Sequence, residues 1–287
     1  MSRIVVVTDS TASLPQKVVA ERGIVVVPLQ VVIGADVLDE GSEGATPEVV
    51  AEALREFRPV STSRPSPTVM LEVYEQAARE GATGVVSIHL SGDMSGTFES
   101  AQLAAREASI PVTAVDTRQV GIATGYAVLA AADVLDGGGS AQEAAEAARS
   151  RAAESSSLFY VDTLEYLRRG GRIGAAAALF GGALAVKPLL TIADGVVATH
   201  EKVRTSARAL SRLEELAVQA AEDLQVDVCV AHLASPDRAG QLTSRLAERL
   251  ADNLSGREVW CGELGAVLGA HVGPGMLAVC VAPVLHR

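Results

Sequence analysis

The chain has 287 residues, 48% of them hydrophobic but only 3% aromatic, and a formal net charge of −11. That length favours two domains over one, and the scarcity of aromatics leaves Ala, Val and Leu to build the cores. The acidic balance, with no basic run longer than a pair of arginines, argues against nucleic acid or an anionic membrane surface as partner.

Arg3 to Val7 reads as a short apolar strand that ends in Thr8-Asp9-Ser10-Thr11, ahead of a helix led by Pro15. A strand opening onto polar residues places Asp9 and Ser10 at a sheet's C-terminal edge, where ligands of open α/β sheets gather. Helix capping by Ser10 or Ser13 explains the same residues equally well on local grounds. Ile24 to Ile33 is a second apolar run, bent at Pro28, and the acidic segment Asp36 to Gly44 reads as a solvated loop. Thr46 caps the next helix with Pro47 at its first position. Prolines then force extended backbone between Pro59 and Pro67, and Ser66-Pro67 restarts a helix through about Glu80. The extended Thr62-Ser63 leaves hydroxyls and N–H groups available to a ligand.

Val85 to Leu90 is a further apolar run, followed by Ser91-Gly92-Asp93-Met94-Ser95-Gly96-Thr97 and a helical face of Phe98, Ala101, Ala105 and Ala108. Strand, tight polar loop and helix start aim several N–H groups and the positive end of a helix at one point. Hydroxyls of Ser91, Ser95 and Thr97 add to that cluster, so this is the chain's main candidate for binding an anion. Taken alone, the same residues also suffice merely to cap a helix. Val112 to Val115 with Asp116-Thr117 repeats the arrangement, and an Ala-rich helix runs to about Leu135 before Gly137-Gly138-Gly139. Ser140 and Glu143 form a capping box for another helix. Strands alternating with helices at this spacing predict a mostly parallel sheet covered on both faces.

From about Ser155 the character changes, so domains are expected at residues 1–154 and 155–287. Leu158 to Val161 is a strand, and the short helix after it ends in Arg168-Arg169-Gly170-Gly171-Arg172. The uncharged run Ile173 to Val186 is too short to span a bilayer. Asp194-Gly195 between Leu189–Ile192 and Val196–Val203 signals a hairpin, hence antiparallel pairing. Two helices, about Ser206–Leu224 and Asp237–Leu254, each precede an apolar strand; the Gly269–Gly275 turn with His271 and the strand Leu277–Ala282 close the chain. Cys229, Cys261 and Cys280 lack metal or C-x-x-C spacing and are expected to be buried free thiols in a reducing compartment. Ile4 to Val7 is too short for a signal h-region, so a cytoplasmic location is expected.

Several of these segments form an ordered set that runs nearly end to end. They are Val7-Thr8-Asp9-Ser10-Thr11, Thr62-Ser63-Arg64-Pro65-Ser66, Ser91 with Ser95-Gly96-Thr97, and Leu164-Glu165-Tyr166-Leu167 with Gly170-Gly171-Arg172-Ile173. Lys187-Pro188, Glu201-Lys202-Val203-Arg204-Thr205 and the Gly269–Gly275 turn complete it. Together they resemble the DegV family, the fatty-acid-binding subunits that serve bacterial fatty acid kinase. Two departures stand out: Arg64 where the family usually has Gln, which adds a cation near the head-group site, and Gly92-Asp93 inside the serine loop.

The resemblance implies an α/β fold of two domains with a fatty acid between them. The N-terminal three-layer domain would have a mostly parallel sheet, and the C-terminal α/β domain antiparallel strands. It implies that Thr62, Ser95, Gly96 and His271 hold the carboxylate of a long-chain fatty acid, with Asp9, Ser10, Ser63, Arg64, Ser91 and Thr97 around them. A buried carboxylate needs several such donors. Ala175, Leu179, Phe180 and Leu184 are the candidate wall of an acyl tunnel; an ordinary buried helix is the plainer explanation of that run. The resemblance also implies a fatty acid kinase catalytic subunit as partner, approached through Arg172 and Arg204. It implies a bacterial lipid carrier in phospholipid metabolism, with no catalytic residues, no metal, no cofactor beyond the lipid, and at most transient membrane contact. The alternative is a serine-dependent acyl hydrolase or transferase with Ser95 as nucleophile, His271 as base and Asp9 orienting it. Against it, no G-x-S-x-G elbow is present. A phosphate-ligand reading lacks a Walker or G-x-G-x-x-G signature.

Overall fold

The computed structural model describes residues 3–179 and 187–285, and these form two compact units. The strands are β1 (Ile4–Asp9), β2 (Val25–Val27), β3 (Gln30–Ile33), β4 (Asp36–Asp39), β5 (Val60–Ser63), β6 (Gly84–His89), β7 (Val112–Asp116), β8 (Ser156–Tyr160), β9 (Lys187–Ala193), β10 (Val196–Val203), β11 (Val226–His232), β12 (Trp260–Glu263) and β13 (Leu277–Pro283). The helices are α1 (Gln16–Glu21), α2 (Pro47–Arg55), α3 (Pro67–Arg79), α4 (Thr97–Glu107), α5 (Ile122–Asp136), α6 (Ala141–Glu154), α7 (Glu165–Arg169), α8 (Ser206–Ala221), α9 (Pro236–Arg249), α10 (Ala251–Leu254) and α11 (Ala266–Val272).

The first unit takes the chain up to Gln30 and Ser63–Ala153. Its four-stranded sheet has the order β2-β1-β6-β7, and every pairing in it is parallel. Successive side chains of a strand face opposite ways. Val6, Val86, Ile88 and Val115 therefore meet Ala127, Ala131, Ala144 and Ala148 on one face, while Val7, Val27 and Val85 meet Met70, Tyr74 and Ala104 on the other. Covered on both sides, β6 is buried along its whole length. The caps read from sequence are present: Val69 N–H donates to Ser66 Oγ at 3.3 Å, and Ser140 and Glu143 form a reciprocal box.

The second unit takes Val31–Thr62 and the chain from Glu154 onward. Its larger sheet has six strands in the order β10-β9-β8-β13-β11-β12. All pairings there are antiparallel except β11 with β12. The β9–β10 hairpin turns on Asp194 and Gly195, both at positive φ, as a two-residue primed turn requires. Leu213, Leu216, Leu242 and Leu246 pack on Val226, Val228, Val230 and Leu277. A separate three-stranded sheet has the order β4-β3-β5.

The structure departs from the sequence reading in several places. The domains are interleaved rather than divided once near 154, because Pro28-Leu29 takes β3 out of the first sheet and β3 pairs with β4 and β5 instead. The acidic segment read as a loop begins with β4. Cys261 is exposed, since β12 is the edge strand of its sheet. Of the tunnel-wall residues, Ala175 is exposed and Leu179 half-buried in a 3₁₀ turn, Gly174–Leu179; Phe180 and Leu184 lie outside the described residues.

Candidate functional site

In the first unit, β6 delivers the loop Ser91–Gly96 to the start of α4. Gly96 is the N-cap of α4 and supplies no side-chain cap. Ser91 is fully buried and holds the loop together. Its carbonyl accepts the N–H groups of Met94 and Ser95, both at 3.1 Å, and its Oγ accepts that of Asp93 at 3.3 Å. Ser95 is only half-buried; its Oγ lies 2.8 Å from Thr97 Oγ1 and accepts Thr97 N–H at 3.3 Å. Thr97 is buried, which leaves Ser95 as the more accessible hydroxyl of the pair.

The two departures in this region have physical explanations. Gly92 N–H donates to Asp116 Oδ1 at 3.2 Å, and a Cβ at Gly92 would stand 2.9 Å from Asp116 Oδ2. Glycine is what lets the loop lie against that carboxylate. Asp93 pairs with Arg118 at 3.4 Å. Arg64 lies across Gly96: its Nη1 donates to Gly96 O at 3.1 Å and to Glu99 Oε2 at 2.7 Å. A Cβ at position 96 would fall 1.6 Å from Nη1, so Gly96 is indispensable to this seat. The cation that Arg64 adds is therefore half of an ion pair with Glu99.

Asp9, Ser10 and Ser63 are engaged locally. Asp9 Oδ1 accepts Thr11 N–H at 3.1 Å and Thr11 Oγ1–H at 2.5 Å. Its Oδ2 lies 2.9 Å from His89 Nδ1 and accepts Leu90 N–H at 3.1 Å. His89 Nε2 is 2.7 Å from Ser87 Oγ, which is 2.8 Å from Tyr74 Oη. This buried relay ties β1 to β6, and burial pushes the Tyr74 phenol up to about 12. Sequence reasoning missed His89; its place in a run of apolar strand residues was the available signal. Both oxygens of Asp9 are thus engaged on His89, Thr11 and Leu90. Ser10 Oγ accepts Leu29 N–H at 3.0 Å, and exposed Ser63 donates weakly to Arg64 O at 3.4 Å.

In the second unit, Thr62 stands on β5 and His271 on the last turn of α11, so His271 is helical rather than part of a turn. Thr62 Oγ1 and His271 Nε2 meet at 2.9 Å across 209 positions of sequence. The imidazole packs on Gly170, at the end of α7, where a Cβ would come within 2.2 Å of Nδ1. Nδ1 itself is buried and has no hydrogen-bond partner among the described residues. Arg172 Nη1 donates to Gly170 O at 2.6 Å. Burial, and secondarily the Arg172 charge, lower the His271 pKa to about 4, so the ring is neutral near pH 7. A proton on Nε2 makes the ring the donor to Thr62 and frees the Thr62 O–H for a further acceptor, whereas a proton on Nδ1 makes Thr62 the donor. The arrangement suits an anion held by hydroxyl donors with a cation close by.

Gly273 and Gly275, at φ 76 and 90, complete this corner. A Cβ on Gly273 would reach 2.0 Å from Tyr166 Cδ2, and one on Gly275 1.9 Å from Asp162 Oδ2. Arg204 is exposed at the end of β10, by a cavity of about 540 Å³ that Lys202, Arg208 and Arg212 also line. Arg212 is paired with Glu201 and Glu215, each at 2.8 Å. Among the described residues no group of three or more His, Cys, Asp or Glu side chains is placed to hold a metal ion, and no helix is long and apolar enough to cross a membrane.

Residues 3–284 match the family model described as an uncharacterised protein of the DegV family. A DegV domain-containing protein of Streptomyces coelicolor is 52% identical over 98% of this chain and 99% of its own length. Among solved structures, a fatty-acid-binding DegV family protein from Thermus thermophilus is 34% identical, with a TM-score of 0.90 over 98% of this chain and 100% of that one. DegV of Bacillus subtilis, described as a fatty acid binding protein, is 31% identical with a TM-score of 0.90, over 99% of this chain and 100% of that one.

Proposed function

The chain belongs to the DegV family, and from that premise we propose that it binds a long-chain fatty acid and presents the carboxylate to the catalytic subunit of a fatty acid kinase. The observation that carries this reading is the Thr62–His271 contact, a neutral imidazole fixing a hydroxyl beside Arg172. Solved relatives at 34% and 31% identity bind fatty acids, which supports the ligand class. In this reading Thr62, Ser95 and the Gly96 N–H donate to the carboxylate, and His271 acts on it by orienting Thr62. Charge-assisted bonds of this kind offset the cost of burying an anion without a direct salt bridge.

The tail supplies the affinity. Burial is worth about 0.8 kcal/mol per CH₂, so roughly fifteen of them contribute on the order of 12 kcal/mol gross. A protein built this way retains its lipid and hands over only the head group; phosphoryl transfer belongs to the kinase. It needs no metal or cofactor of its own, and it works in the cytoplasm, where an acyl phosphate feeds phospholipid synthesis. Arg172 and Arg204 are the residues assigned to work with the partner.

The test is denaturing extraction of the purified protein followed by mass spectrometry of what it held. A long-chain fatty acid in equimolar amount is expected. Recovery of a nucleotide or sugar phosphate with no lipid, after mild purification, overturns the reading.

A further inference from the structure

Glu40 lies one residue beyond β4, in the acidic segment that reads from sequence as a solvated loop, yet its carboxylate reaches α11. Glu40 Oε1 accepts the Val267 N–H at 2.7 Å, 227 positions away. The first turn of a helix has N–H groups without intrahelical partners, and the N-cap of α11, Gly265, has no side chain to meet them. A Cβ at Gly265 would stand 2.5 Å from Glu40 Oε1, so glycine at that position makes room for the remote carboxylate. A negative group is also favoured at that end of a helix.

A helix as short as α11 is marginal by itself, so the groups that grip its ends decide where its side chains point. One grip is Glu40 at Val267; the other is Thr62 at His271. Both originate in the same small sheet, of order β4-β3-β5. We propose that Glu40 is a positioning residue for the carboxylate site, holding the amino end of α11 so that His271 meets Thr62. The assignment of Thr62 and His271 to a fatty-acid head group rests on the function proposed above; the clamp does not.

The test uses the full-length protein, reading the His271 ring titration by NMR and the loss of bound oleate by exchange. Glu40→Ala is expected to move the His271 midpoint up toward the ordinary 6.5, as the ring leaves its seat. Oleate loss should become about tenfold faster, the scale of one misplaced charge-assisted bond. Gly265→Ala is expected to do the same by displacing the carboxylate. Glu40→Gln, whose amide oxygen still accepts from Val267, should recover most of both effects, which a general loosening of the loop would not. Should Glu40→Ala fail to fold, Glu40→Asp, one methylene too short to reach, takes its place. A wild-type His271 midpoint in the folded Glu40 variant and in Gly265→Ala overturns the proposal. If the wild-type protein takes up no oleate, the functional reading fails, while the titration still decides the clamp.

Discussion

His271 is neutral in the folded protein because its surroundings offer an ammonium-like charge no solvation and a cationic neighbour. Its folded midpoint of about 4 lies below the ordinary 6.5. Between those values the unfolded chain binds a proton that the folded chain does not, so stability rises with pH through this window and is lost as pH falls from 6.5 toward 4. Urea unfolding at pH 7 and pH 4.5 should show a larger loss for wild type than for His271→Gln; equal losses would remove His271 as the cause. A bound carboxylate offsets the Arg172 charge, so loading with oleate is expected to raise the His271 midpoint. Thr62→Ala and Ser95→Ala should each weaken oleate binding by about 1.5–3 kcal/mol, as for a hydrogen bond to a charged group, measured by titration of delipidated protein. At this scale the ordered motifs made Thr62 and His271 legible. The place of Arg172 beside His271 was not, because Gly170-Gly171 hides which way the chain turns, and nothing local pairs Glu40 with a residue 227 positions away.

Elements whose ends carry their own chemistry were readable. Thr46-Pro47, Ser66-Pro67 and Ser140 with Glu143 each start a helix where capping predicts, and Asp194-Gly195 turns a hairpin. α11 was missed because glycine suggests a turn, yet Gly269 is there for packing: a Cβ on it would press on Leu233 Cδ2 at 3.1 Å. Only Gly273 and Gly275 adopt positive φ in that segment. The Asp9 relay also acts at this scale, since one carboxylate joins the end of β1 to the end of β6 and the loop beyond. Asp9→Ala leaves several buried groups unsatisfied at about 1–3 kcal/mol each, so a loss of about 3 kcal/mol or more is expected by urea denaturation. Asp9→Asn keeps one acceptor oxygen and should cost less; equal, small losses in both would show that the relay contributes little.

For the whole molecule, the fold class was legible because strand–helix alternation and the hairpin signal are patterns of composition and spacing. The interleaving of the units was not, since which sheet a strand joins depends on partners far along the chain. Arg172 and Arg204 are expected to separate in function. Arg204→Ala, at an exposed basic cavity, should leave lipid content unchanged and lower acyl phosphate formation in a reconstituted kinase assay. Arg172→Ala, beside His271, should also raise the His271 midpoint by removing a cation. Loss of bound lipid in Arg204→Ala, with the remaining loaded protein phosphorylated normally, would assign Arg204 to the pocket instead.

The interleaved chain also sets an order of events during synthesis. Val31–Thr62 leaves the ribosome early but belongs to the unit completed from Glu154 onward. Thr62 waits for His271 across 209 residues, which at about 5–20 residues per second is a delay of roughly ten to forty seconds. Throughout it, α2, which packs against α11 in the finished fold, lacks that partner. Val31–Thr62 is thus without the rest of its unit for that whole interval, and a chain that ends before α11 leaves Thr62 without its His271 contact.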